Sequence, residues 1–204
     1  MGINKRIALT ASFALSLIIL YYDTSGVFFC FLAASAIHEL SHAAAILMCG
    51  AKISAFDISP FGGSMSYSPL SSYRSDALIA LAGPVGSIVS SYLASTAGNI
   101  TGTAWLYTFS GISLMLGIFN LLPILPLDGG NIISSLLIPI KDIAKTIRIL
   151  NIISIIFCAI LFLLGLYILV ISRYNITMLF IAVWLMIYNI RQRGMEFDNV
   201  QKNT

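Results

Sequence analysis

Long runs of apolar side chains alternate with short polar breaks along this chain. About 20 apolar residues wound as a helix cross the roughly 30 Å hydrocarbon layer of a bilayer. The runs therefore predict spans near residues 7–22, 26–49, 76–96, 103–122, 149–172 and 175–190. Between the second and third, the pattern shortens to Ile53, Phe56 and Ile58, then Gly62-Gly63, then Met65 and Tyr67. That spacing predicts a small β-hairpin turning at the two glycines. From 191 to 204 the chain is polar and reads as a fraying tail. The expected fold is an all-α polytopic membrane protein with about six helices and one hairpin-like loop. It reads as a single membrane-embedded domain over 1–204, with a core at about 26–135 and a final helix pair at 149–190.

Composition agrees with lipid as the solvent. Hydrophobic residues make up 58% of the chain and charged ones 9%, against roughly 25% charged in a soluble domain. So few charges, scattered among apolar runs, exclude a nucleic-acid partner despite the net charge of +3. Cys30, Cys49 and Cys158 form no paired motif and read as small apolar packing residues. The short run 7–22 has a signal peptide as its alternative, but Tyr21-Tyr22-Asp23 follows in place of a small-residue cleavage site.

Lysine and arginine set the orientation. With the N-terminus cytoplasmic, Lys5, Arg6, Lys52, Arg74, Lys141, Lys145, Arg148, Arg191, Arg193 and Lys202 all fall inside, and only Arg173 falls outside. The excess of basic residues on the cytoplasmic side predicts a multi-pass protein of the cell membrane with both termini in the cytoplasm.

Polar chemistry concentrates in the second run, at Ile37-His38-Glu39-Leu40-Ser41-His42. Side chains four apart share a helix face, so His38 and His42 can grip one tetrahedral metal. Glu39 between them can serve as base toward water activated there. Ionisable side chains inside a span are costly and mark functional sites, and these three lie within one helical turn. A catalytic zinc needs a third protein ligand. The chain has no third histidine, and Asp23, Glu196, Asp198, Asp57, Asp76 and Asp142 sit in outer, tail or watery segments. Asp128 differs, because Pro123, Pro126, Gly129 and Gly130 surround it in a break at membrane depth. An Asp-Gly turn closing a span is the alternative.

His38-Glu39-x-x-His42, Ala82-Gly83-Pro84 and Asn120-x-x-Pro123-x-x-x-Leu127-Asp128-Gly129-Gly130 together resemble the site-2 protease family of intramembrane metalloproteases. The resemblance covers about 30–135. It implies one zinc per chain held by His38, His42 and Asp128, with Glu39 as the catalytic acid and base. It also implies a membrane-anchored protein substrate cut in or near a transmembrane segment, with room for a membrane inhibitor or regulator. The six spans and Pro60-Phe61-Gly62-Gly63 are similar to the stage IV sporulation protease group. That group carries a C-terminal CBS domain, expected here to be absent or supplied elsewhere. Ser41 stands where the family often has glycine, and Val85-Gly86-Ser87 follows Ala-Gly-Pro in place of the frequent asparagine.

Asn120 is a candidate to bind substrate or a developing oxyanion, with a helix–helix hydrogen bond as the equal alternative. Gly83, Gly86 and Ser87 read as small surfaces for close helix packing. A transporter would place polar groups along several spans, and the fifth and sixth read as nearly devoid of them. A metal-binding membrane protein without catalysis would spread them likewise, and an inactive scaffold descended from such a protease would have no use for Glu39.

Overall fold

The computed structural model describes residues 21–59, 62–68 and 72–202. Two compact units divide the chain, Met1–Phe119 and Asn120–Thr204. The expected first span lies outside the described residues, apart from Tyr21 and Tyr22.

In the first unit, α1 (Val27–Met48) opens on the Asp23 carboxylate, which accepts from the Phe28 N–H at 2.7 Å and from the Ser25 hydroxyl. The Ser25 hydroxyl first, and backbone N–H groups after it, hold this exposed carboxyl below its ordinary range. At the other end Gly50, at φ 77°, reverses the chain so that Ala51 N–H reaches Ile46 O at 3.1 Å. A side chain would be strained in that left-handed conformation.

Strands β1 (Ile53–Ser59) and β2 (Gly62–Tyr67) pair antiparallel, from Ile53↔Tyr67 to Ser59↔Gly62, with an irregularity between Ile53 and Ala55. The hairpin is where the pattern put it, but its turn is not. Gly62 and Gly63 are paired strand residues opposite Ser59 and Ile58. Glycine punctuates a chain without saying whether it turns there or extends. Met65 and Tyr67 pack on Ile46, Ala51 and Ile79, and Tyr67 donates its hydroxyl to Asp76 Oδ1 at 2.9 Å. Burial first, and the Asp76 carboxylate second, push the Tyr67 hydroxyl up to about 12.

Helix α2 (Tyr73–Thr101) starts where Ser72 Oγ accepts from Arg74 N–H and ends at left-handed Gly102. Its 29 residues extend about 43 Å, well beyond one hydrocarbon thickness. Helix α3 (Ala104–Asn120) follows. Small residues draw the helices together: a Cβ on Gly86 would collide with Ser41, and one on Gly117 would lie 3.1 Å from Pro84 O and Ser87 Cβ. Ser91 and Ser110 then exchange hydroxyl-to-carbonyl hydrogen bonds at 2.8 and 2.9 Å. Without a hydrophobic driving force between helices in lipid, close packing and such polar links hold them together. Cys30, Ala34, Ala94 and Phe109 fill the remaining core of this unit.

In the second unit the chain breaks at Leu121–Leu127, with a cis Leu125–Pro126 peptide, before a short helix α4 (Asp128–Leu137). The apolar pattern predicts no span between 122 and 149, since a helix of ten residues is too short to show a membrane-length run. Two long helices complete the unit, α5 (Ile143–Ser172) and α6 (Thr177–Lys202). The polar tail continues α6 as helix through Lys202. A Cβ on Gly165 would sit 2.9 Å from Leu179 Cα, so this pair too packs through a missing side chain. Its helices are less apolar inside than the pattern suggested, because Thr146, Asn151, Ser154 and Asn189 are all buried.

Among the described residues three helical stretches are long and apolar enough to cross a membrane: Val27–Met48, Tyr73–Thr101 and Lys145–Ser172. Ala104–Asn120 and Thr177–Ile190 are apolar and shorter.

Candidate metal centre

Helix α1 carries His38 and His42 on one face, one turn apart, and their Nε2 atoms lie 3.2 Å from each other. Each ring is held from behind through its other nitrogen. His42 Nδ1 is 2.7 Å from Ile79 O, and His38 Nδ1 is 2.9 Å from Ser87 Oγ. A carbonyl oxygen only accepts, so the proton of a neutral His42 is on Nδ1 and the Nε2 lone pair is exposed toward His38. Two imidazole nitrogens turned to one point, each with its far nitrogen tied to a neighbouring helix, is the donor arrangement of a metal site. The residues present fit a zinc ion in their chemistry.

The space for the rings comes from Gly83. A Cβ there would come within 2.8 Å of His38 Nε2 and closer still to the His42 ring. Gly83 and Ser87 are one helical turn apart on α2, so one face of that helix both makes room for the imidazoles and anchors one of them. Ser87 is fully buried. Its role as a partner of His38 was not apparent in the sequence, where it looked like a small packing residue. The signal available was spacing, since Ser87 lies four residues beyond Gly83.

Glu39 is partly buried and shares a helical turn with both histidines. The structure thus brings His38, Glu39 and His42 together within the first unit. Asp128 and Asn120 belong to the second unit. Asp128 is the first residue of α4, following Leu127 in extended conformation, and is partly buried. The first turn of α4 rests against the preceding loop: a Cβ on Gly129 would collide with Leu121 O, and one on Gly130 would lie 2.8 Å from Ile124 C. Those glycines hold Asp128 at the mouth of the break. Asn120 ends α3, eight residues earlier, and is partly buried.

Residues 77–164 match the family model of Peptidase family M50. A zinc metalloprotease of Methanocaldococcus jannaschii is 34% identical over 106 residues, which are 50% of this chain and 31% of that protein. A Synechocystis protein is 34% identical over 105 residues, 48% of this chain and 28% of its own length. The chain thus spans under a third of the length of these relatives. The solved structure of the site-2 protease from Methanocaldococcus jannaschii superposes with a TM-score of 0.66 at 25% identity, covering 93% of this chain and 87% of that one. Family model, relatives and solved structure, together with the apolar helices, agree on one likeness for this membrane protein: over residues 77–164 it is similar to Peptidase family M50, and its fold is similar to that of a site-2 protease.

Proposed function

We propose that this chain is an intramembrane zinc endopeptidase that hydrolyses a peptide bond in or near a transmembrane segment of a membrane-anchored protein. The observation that carries the reading is the convergence of His38 and His42 Nε2 at 3.2 Å on the same helical turn as Glu39. His38, His42 and Asp128 are the residues that would hold one zinc per chain. When bound, zinc supplies Lewis acidity toward the scissile carbonyl and the attacking water. Glu39 takes one proton from that water as the new C–O bond forms, and delivers it to the amide nitrogen as the C–N bond breaks. Asn120 is assigned to hold the extended substrate or its developing oxyanion.

The apolar, membrane-length helix around His38 and His42 supports chemistry within the membrane. The midpoint of His38 and His42 is about 12 Å from the C-terminal end of α1 at 1.5 Å per residue. The lysine and arginine distribution supports six spans with both termini cytoplasmic, which puts that end of α1 at the cytosolic face. A substrate helix must unwind there to present a carbonyl, and a free edge of the β1–β2 hairpin suits an extended strand. Within the family, the loop Pro60-Phe61-Gly62-Gly63 supports a likeness to the stage IV sporulation protease group.

The test is co-expression with anchored candidate substrates, comparing wild type, Glu39→Gln and Asn120→Ala. Cleavage by wild type, none by Glu39→Gln and a marked reduction by Asn120→Ala at unchanged zinc content are expected. Equal cleavage by wild type and Glu39→Gln would remove the proteolytic reading.

A further inference from the structure

Buried polar side chains in apolar helices are costly unless they are employed. Asn189 on α6 and Ser154 on α5 are both 0% exposed. Both are employed on one residue of the break, Leu125. The Leu125 N–H donates to Ser154 Oγ at 3.0 Å, and Asn189 Nδ2 donates to the Leu125 carbonyl at 2.7 Å. The same Nδ2 donates to Leu185 O at 2.9 Å. Two carbonyl partners, which can only accept, fix which end of the Asn189 amide faces the loop.

Leu125 is three residues before Asp128. The intervening chain has little slack, since Leu127 N–H bonds Ile124 O at 2.7 Å and Asn131 N–H bonds Leu127 O at 3.1 Å. The first turn of α4 rests on the same loop, where a Cβ on Gly130 would lie 2.9 Å from Leu125 N. A displacement of Leu125 is therefore passed to Asp128.

The geometry points to Asn189 and Ser154 as positioning residues for the metal site, clamping Leu125 from two helices and so fixing where Asp128 presents its carboxylate. This rests on the reading of Asp128 as a zinc ligand. It assigns a task to α5 and α6, which carry none of the zinc-motif residues. Groups that orient metal ligands without touching the metal are commonly worth about 10- to 100-fold in affinity.

The full chain, purified in detergent, can be titrated with zinc against a competing chelator and loaded with cobalt for its visible absorption. Asn189→Ala should lower zinc affinity about tenfold and shift the cobalt bands, with helicity unchanged. Ser154→Ala should act in the same direction, and Ser154→Thr, which keeps the hydroxyl, should restore both readouts. Asn151 is an internal control: it is buried in the same helix as Ser154, and neither of its amide atoms has a hydrogen-bond partner among the described residues. Asn151→Ala should leave metal binding untouched, and an equal loss there would reduce the clamp to general packing. If Asn189→Ala loses helicity, the Ser154→Ala and Ser154→Thr pair decides. Wild-type affinity and spectrum in both clamp variants, with Asp128→Ala weakened, would overturn the clamp and leave the ligand reading standing. An Asp128→Ala variant with undiminished affinity would remove the ligand reading, and the clamp with it.

Discussion

His38 Nδ1 and the Ser87 hydroxyl meet at 2.9 Å in the buried interface between α1 and α2. The contact joins the helix of the two histidines to the helix that contains Gly83-Pro84, and it turns His38 Nε2 toward His42 Nε2. Removing the hydroxyl frees the ring to rotate and leaves a buried nitrogen without its partner. Ser87→Ala should therefore weaken zinc binding about tenfold, while Ser87→Thr should retain much of it. A chelator titration that finds Ser87→Ala equal to wild type would reduce the contact to packing.

Gly83 gives the opposite experiment, adding one methyl group where both imidazoles need the space. Gly83→Ala should abolish stoichiometric zinc and destabilise the protein by about 1–3 kcal/mol through overpacking. Metal analysis and thermal unfolding in detergent would measure the two effects. Full zinc loading of this variant would place the metal away from the α1–α2 interface.

Ligand and base should separate cleanly. His38→Ala and His42→Ala should each lose zinc, and Asp128→Ala should weaken it. Glu39→Gln should keep about one zinc per chain and lose activity by about 10²–10⁴-fold, the range for a general base. Loss of zinc from an otherwise folded Glu39→Gln protein would make Glu39 a ligand.

Tyr67 supplies a pH dependence outside the helices. Its hydroxyl is pushed up to about 12, first by burial and then by Asp76, so the fold favours the protonated form. The contribution is fully present below the ordinary tyrosine value of about 10 and is lost as pH rises toward 12. Hydrogen exchange of the β1–β2 hairpin should therefore accelerate over that window in wild type. Tyr67→Phe should exchange faster at neutral pH and show no such rise. An identical profile in both proteins would detach the hairpin from this hydrogen bond.

Topology is open to direct measurement. Reporters fused at Lys52, at Lys141 and after Thr204 should all signal cytoplasm, as the positive-inside distribution requires. An external signal at Lys52 would move the end of α1, and the site with it, to the opposite face.

Much of this protein was legible in residue order alone, and the reason is periodicity. A helix repeats every 3.6 residues, so His38 and His42 share a face whatever packs around them. Apolar runs matched to bilayer thickness located α1 and α2, and the larger part of α5. The alternation at Ile53–Ile58 and Met65–Tyr67 announced a hairpin, although Gly62 and Gly63 proved to be strand rather than turn. Helix α4 was hidden because ten residues beside two prolines carry no membrane-length signal. What only the tertiary structure decided is which groups stand behind the site. Ser87 binds His38 across 49 positions, Ile79 O binds His42 across 37, and Asn189 binds Leu125 across 64. No local pattern encodes such partners. They are set by which helix faces which, and in lipid that is decided by missing side chains at Gly83, Gly86 and Gly165 and by the hydrogen bonds buried polar groups must find.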